Sequence, residues 1–336
     1  MNILVPSAGK RYLHIRYIKE AKGVNKVVTT EISSLAPAIH AADICYQVPR
    51  IMSPNYLDAI MKICLKESID LIIPLMDADI VIFSRNRKIF EGRGIQFLLS
   101  PSETIELAMD KLATYRTLNK IGLPCPYTFE IIEREDAVRT VGFPLILKPR
   151  YAGLKAVADY KIRKIGCEEE LKEFLLGIEG KENQYVMQEY LEGIELTIDF
   201  FCDRDGEVLS VVPGERLSAL SKAFSQDGGA IDQGRTFHDS QIEQLVCKAA
   251  RNIRYFGPAN FQAYRNKEGT IKFTENNPRF TGATVMTRAA GRDFFQWSID
   301  LISGKKISLP QEDFKDISMS SWLSPIFFHE IKMLST

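Results

Sequence analysis

Several features are missing, and each absence removes a class of protein. No apolar run approaches the roughly 20 residues a membrane-spanning helix needs, so no membrane span is expected. The 43 Lys and Arg are matched by 43 Asp and Glu. Without a basic excess, a nucleic-acid partner is not expected. The six cysteines are scattered and never form C-x-x-C. They read as buried thiols in a reducing compartment, not as disulfides or a zinc site. The four histidines are equally dispersed and show no metal-ligand spacing. After the first strand comes Ser7-Ala8-Gly9-Lys10-Arg11 in place of G-x-G-x-x-G, which disfavours a dinucleotide site. Met1-Asn2-Ile3-Leu4-Val5 runs directly into a strand and does not read as a signal peptide, so a cytoplasmic location is expected.

What is present points to several lobes. A chain of 336 residues is too long for one compact core, and its 45% hydrophobic content supports sizeable ones. Apolar strands over 2–6, 26–30, 44–48 and 70–74 alternate with helical patterns over 12–22 and 54–68. This β-α-β order predicts a doubly wound parallel layer over 1–100. A second lobe is expected over 101–186, with a helix from Lys111 to Ile121 and a strand ending at Lys148. A third lobe is expected over 187–336 and includes a hairpin. Its tail after Asp313 takes no role, although 318–328 reads as a closing strand.

The segment Phe273-Thr274-Glu275-Asn276-Asn277-Pro278-Arg279 is the most informative. On a strand, i, i+2 and i+4 share a face, which converges Glu275, Asn277 and Arg279. Oxygen ligands beside a fixed positive charge suit Mg2+ carrying a polyphosphate. The alternative is a polar strand end turned by Asn-Pro. Upstream, Asn260, Gln262 and Tyr264 alternate with Phe261 and Ala263, and Asn266-Lys267-Glu268-Gly269 forms a loop. The resulting hairpin is expected to set Gln262 opposite Glu275. Lys148 shares a strand side with Ile146, and a lysine on an apolar side needs an anion or a shifted pKa. Lys111 follows Asp110 at a helix start, where surface lysines are common.

Four segments in this order resemble the ATP-grasp superfamily, from about Met1 to Lys305. They are Asp110-Lys111 before a helix stopped by Gly122-Leu123-Pro124; Phe143-Pro144-Leu145-Ile146-Leu147-Lys148-Pro149-Arg150; Met187 through Glu195; and Asn260-Phe261-Gln262 with Glu275-Asn276-Asn277-Pro278-Arg279. Within the superfamily the chain is most similar to a synthetase half of the carbamoyl phosphate synthase large subunit. The resemblance implies an α/β and α+β molecule: a Rossmann-like parallel-sheet lobe followed by two α+β lobes that clasp ATP. It implies phosphate contacts from Lys111 and Lys148, and adenine contacts from Gln188 and the Leu191 backbone. Glu195 would hold ribose hydroxyls. Gln262, Glu275 and Asn277 would hold Mg2+ (or Mn2+), and Arg279 would stabilise the transferring phosphoryl group.

There are departures. The loop after Lys148-Pro149-Arg150 reads Tyr151-Ala152-Gly153-Leu154-Lys155-Ala156-Val157, with one glycine where relatives carry a Gly- and Ser-rich lid. Fewer backbone N–H groups can then approach a phosphate, and Lys155 is the residue to compensate by charge. The chain also matches only one synthetase half, so carbamoyl phosphate synthesis itself is not expected. Arg288, close to the metal motif, is a candidate carboxylate clamp, with Arg292 beside it. Arg216, in Pro213-Gly214-Glu215-Arg216, is a candidate phosphate or carboxylate contact. The polar segment 217–235 reads as a second lid. The implied chemistry is ATP-dependent activation of a small carboxylate as an acyl phosphate, then attack by an amine, with a homodimer as the candidate assembly. A regulatory nucleotide-binding subunit and a phosphotransferase are the alternatives.

Overall fold

The computed structural model describes residues 1–152, 162–217, 233–321, 325–327 and 333–335. Its strands sort into three sheets. The first grows from short Val-, Ile- and Leu-rich runs without alternation, as strands buried on both faces require. It uses β1 (Asn2–Pro6), β2 (Lys26–Glu31), β3 (Ile44–Gln47), β4 (Leu71–Ile72) and β5 (Gln96–Phe97). Helices α1 (Tyr12–Glu20), α2 (Tyr56–Lys66), α3 (Asp77–Arg85) and α4 (Arg87–Glu91) connect them. All pairings are parallel. Helices α5 (Ser102–Met109) and α6 (Lys111–Lys120) follow, the latter capped by Asp110, which accepts from the Leu112 and Ala113 N–H groups.

The second sheet has four antiparallel strands, ordered β6-β9-β7-β8. These are β6 (Thr128–Glu130), β7 (Leu145–Pro149), β8 (Arg163–Ile165) and β9 (Tyr185–Glu189), backed by α7 (Arg134–Val141) and α8 (Glu168–Gly177). Strand β9 crosses the expected lobe boundary at Val186 and pairs on both sides within this sheet. We therefore propose Glu189 as the end of the second lobe.

The third sheet is ordered β14-β13-β10-β11-β12-β15 and is antiparallel. Its strands are β10 (Ile194–Cys202), β11 (Val208–Arg216), β12 (Gln233–Thr236), β13 (Gly257–Arg265), β14 (Ile271–Asn277) and β15 (Ser318–Ser320). Helix α9 (Ser240–Asn252) covers one face; α10 (Thr284–Ala289) and α11 (Phe294–Ile302) follow the metal motif. The tail thus contributes one short strand here. A second, β16 (Leu334–Ser335), lies parallel beside β3 at the edge of the first sheet.

The cores explain how the lobes hold together. Phe294, Phe295, Trp297 and Leu301 of α11 pack with Ile3, Val5, Val27 and Leu71 in one apolar cluster. The first and third lobes therefore share a core. The second sheet keeps its own cluster, around Leu145, Leu147, Phe174 and Met187. The connection from the second sheet to the third passes through Gly193, whose φ is +144°. An added Cβ there would overlap the Arg265 carbonyl. That neighbour is backbone and cannot rotate away. Gly193→Ala is expected to destabilise by about 2 kcal/mol or more from strained φ and overlap together. Gly180, at φ +77° in open space, gives the comparison; Gly180→Ala is expected to cost only about 1 kcal/mol. Urea unfolding of the two variants tests this, and equal stabilities would contradict it.

Candidate functional site

Strand alternation gives the third sheet two unlike faces. On β10, Leu196, Ile198 and Phe200 enter the core, with Phe261 and Ala263 of β13 beside them. Glu195, Thr197 and Asp199 therefore take the opposite face. Pairing sets Glu195 against Tyr264, Thr197 against Gln262 and Asp199 against Asn260. On the other side of β13, Gln262 opposes Glu275 and Asn260 opposes Asn277. The three expected metal ligands thus occupy adjacent positions on one polar face. The register of β13 and β14 shifts next to Gln262, where Ala263 pairs with Phe273 and Thr274 is left over. This bulge turns Phe273 into the core while Glu275, two residues on, faces the cleft.

The bulge is tied to the lysines. The Tyr115 hydroxyl of α6 donates to the Thr274 carbonyl. Lys148 Nζ donates to the same hydroxyl oxygen at 2.8 Å. Lys148 is 5% exposed. Burial pulls its pKa down from 10.5 to about 8, and the Glu275 charge opposes that drop. Lys111 is half-buried and depressed in the same way, with Glu275 supporting its charge and Lys148 opposing it. Lys111 does not take the surface position common at a helix start: α6 starts at the cleft, so its first residue lies within the field of Glu275. Gln188 is buried on β9 and donates to Thr128 Oγ1 at 2.8 Å. Leu191 lies half-buried in the link between the second and third sheets.

At the other end of the polar face, Arg216 Nη1 pairs with Glu195 Oε1 at 2.5 Å. Tyr264 stands near both; burial, reinforced by the Glu195 charge, raises its hydroxyl pKa to about 12. Arg279 reaches across to the first lobe, where its Nε pairs with Asp77 Oδ1 at 2.5 Å. Its Nη2 donates to Asn277 Oδ1 and its Nη1 to the Phe280 carbonyl, each at 3.2 Å. Burial opposes the charge on Asp77. Arg279, then Lys111 and Arg11, nevertheless hold its carboxyl below the usual range.

Arg288 does not join this group. Its Nη1 pairs with Glu20 at 2.9 Å, its Nε with Asp293 at 3.1 Å, and its guanidinium lies over the Tyr17 ring. Helix α10 turns it toward α1, so its closeness in sequence to Arg279 misleads. Arg292 is likewise placed over the Phe314 ring. Lys155 and most of the two expected lids, 151–157 and 217–235, lie outside the described residues.

Sequence reasoning missed Asp77 and Tyr115. Asp77 begins a helix straight after the buried strand β4, at the carboxyl end of a parallel sheet where ligands gather. That signal was readable. Asp199 is 1% exposed and accepts from Asn260 Nδ2, Thr281 Oγ1 and Thr287 Oγ1. Burial raises its pKa against those bonds. It anchors the strand end that presents Asn277.

As an oxygen-donor set, Gln262, Glu275 and Asn277 fit a hard divalent cation. One carboxylate and two amides leave room for phosphate oxygens to supply the remaining charge. Among the described residues, no group of three or more His, Cys, Asp or Glu could hold a metal. None of the described helices is long and apolar enough to cross a membrane.

The depressed Lys148 fixes a pH dependence. Between about 8 and 10.5 the unfolded chain binds this proton and the folded chain does not, so stability rises with pH there. Lys148→Met removes the buried charge. It is expected to stabilise at pH 7 by about 1–3 kcal/mol, the gap closing as pH rises toward 10. Urea unfolding at pH 7 and pH 9.5 measures this, and a gap that widens with pH would contradict it.

Comparison with known proteins bears on the family and the fold. Residues 3–98 match the family of PylC-like N-terminal domains. Residues 181–323 match the family described as ATP-grasp in the biosynthetic pathway with Ter operon. The 2-oxoglutarate carboxylase small subunit of Hydrogenobacter thermophilus is 25% identical over 90% of this chain and 66% of its own length. The crystal structure of that enzyme's biotin carboxylase domain dimer, in complex with MgADP, ADP and bicarbonate, superposes with a TM-score of 0.73 at 22% identity. It covers 94% of this chain and 72% of the other. The D-alanine–D-alanine ligase of Stutzerimonas stutzeri is 26% identical over 64% of this chain and 70% of its own. The carbamoyl phosphate synthase large chain of Thermoanaerobacter pseudethanolicus is 22% identical over 63% of this chain, which spans only 20% of it. The chain has the ATP-grasp fold and belongs to the ATP-grasp superfamily, and it spans less than two thirds of the length of the first relatives it matches.

Proposed function

We propose that the protein is an ATP- and Mg2+-dependent ligase of the carboxylate–amine type. One observation supports this most. The Glu275 carboxylate, flanked by Gln262 and Asn277, lies in the fields of Lys111, Lys148 and Arg279. Among the described residues it has neither hydrogen bond nor ion pair. A half-buried cluster of this composition suits a polyphosphate and its cation.

Each residue then has a task. Lys111 and Lys148 bind phosphate oxygens. Gln188 and the Leu191 backbone read the adenine edge, and Glu195, held by Arg216, faces the ribose. Gln262, Glu275 and Asn277 hold the divalent cation, which when bound neutralises charge on the β- and γ-phosphates. Arg279 keeps N–H donors beyond those given to Asp77, Asn277 and Phe280, and these serve the terminal phosphoryl group. A substrate carboxylate attacks that phosphorus, ADP leaves, and the acyl phosphate passes to an amine with release of phosphate. No side-chain nucleophile is required. A homodimer is the proposed assembly.

Calorimetry with a non-hydrolysable ATP analogue and Mg2+ tests the site. Glu275→Ala and Lys148→Ala should each weaken binding about tenfold or more, a loss of at least about 1.4 kcal/mol. Wild-type affinity in both variants would refute the assignment. Turnover with small acids, bicarbonate included, should yield ADP and phosphate, and hydroxylamine should trap the activated acid as a hydroxamate. Formation of AMP would rule out this chemistry.

A further inference from the structure

Arg11 is a guanidinium without a fitting partner. It sits in the turn between β1 and α1, at the carboxyl end of the parallel sheet. Here β1 has β2 on one side and β4 on the other, so the connections diverge, and this is where open α/β sheets form their ligand crevice. It is half-buried. Among the described residues the one hydrogen bond of its side chain is from Nη1 to the Met76 sulfur, at 3.2 Å. Thioether sulfur is a weak acceptor, so most of the five guanidinium donors remain unused.

The surrounding carboxylates are committed elsewhere. Asp77 is held by Arg279. Asp79 accepts the Tyr56 hydroxyl at 2.6 Å through Oδ1. Glu31 accepts the Gly9 N–H. Burial, with Arg279 close by, draws the Arg11 pKa down to about 10. Its charge is therefore incompletely compensated by the protein. A planar fork of free donors matches a carboxylate, which it can take with two parallel hydrogen bonds.

The local charge also selects among anions. A phosphate would use the backbone N–H groups of the turn, but the Glu31 carboxylate already takes that of Gly9. The Oδ2 atom of Asp79 is buried without a hydrogen-bond partner, which adds negative potential beside the crevice. A dianionic phosphate ester is repelled there more strongly than a carboxylate.

We propose that Arg11 anchors the carboxylate of the small acid substrate, while Glu31 and Asp79 keep phosphate esters from this crevice. Asp77 and Arg279 then bridge this anchor to the metal strand, so acid and γ-phosphate meet at the boundary of the first and third lobes. The proposal rests on the ligase reading above.

The test uses the full chain with MgADP. Thermal shifts are recorded with bicarbonate, acetate, L-alanine, L-glutamate and succinate, and with glycerol 3-phosphate and ribose 5-phosphate as comparators. MgADP should stabilise the wild type, at least one carboxylate should add a further shift, and neither phosphate ester should. Arg11→Met should keep the MgADP shift and weaken the carboxylate at least tenfold in a titration. Arg11→Lys, which retains charge without the fork, should fall between. A carboxylate shift unchanged in Arg11→Met overturns the proposal, as does a shift from the phosphate esters alone or from no carboxylate at all. A wild type that ignores MgADP would instead overturn the ligase reading, and this proposal with it.

Discussion

The bulge at Thr274 is the constraint on which the site depends. Without it, Phe273, Glu275 and Asn277 would share one face of β14, by simple alternation. Either a phenylalanine would enter the cleft or the Glu275 carboxylate would enter the core. One extra residue resolves the conflict. Its freed carbonyl is not left unpaired, since Tyr115 donates to it and Lys148 donates to Tyr115. The same defect thus aims Glu275 and ties the metal strand to the lysine of the second sheet.

The lobes are joined unequally. The first and third share a core through α11, and ion pairs Arg279–Asp77 and Arg288–Glu20 cross their boundary. The second sheet keeps its own core. It meets the third through polar ties, Lys272 with Glu189 among them at 2.6 Å. Apolar contact makes one platform of the first and third lobes and also seats Tyr115, Leu118 and Leu123 on the third sheet, while polar contact sets the second sheet itself across the cleft. Such polar junctions are the ones that yield most readily when a cleft opens or closes.

Buried charge is the energetic cost of this arrangement. Lys148 and Lys111 are held where water cannot fully solvate them, and burial depresses both. Neither has a hydrogen-bonded carboxylate among the described residues. Asp199, in contrast, is buried within three side-chain hydrogen bonds and is a finished structural element. The distinction separates residues that wait for a ligand from residues that support them.

Much of this was legible from local pattern. The parallel layer followed from unalternated apolar strands separated by helical periods. The facing of Gln262 and Glu275 followed from strand parity and hairpin length, because both operate over a few residues. What escaped were partnerships between distant segments. Nothing near Arg288 in sequence indicates that Glu20 and Tyr17 will claim it. Local pattern at Lys111 reads only as a helix start, and it is the family resemblance that directs it to a phosphate. The bulge at Thr274, the Asp77 partner of Arg279 and the unmatched fork of Arg11 exist only once three sheets are packed. Short-range alternation determined which side chains share a face. Long-range packing decided what each face meets, because hydrogen bonds and ion pairs depend on distances in space that chain order does not contain.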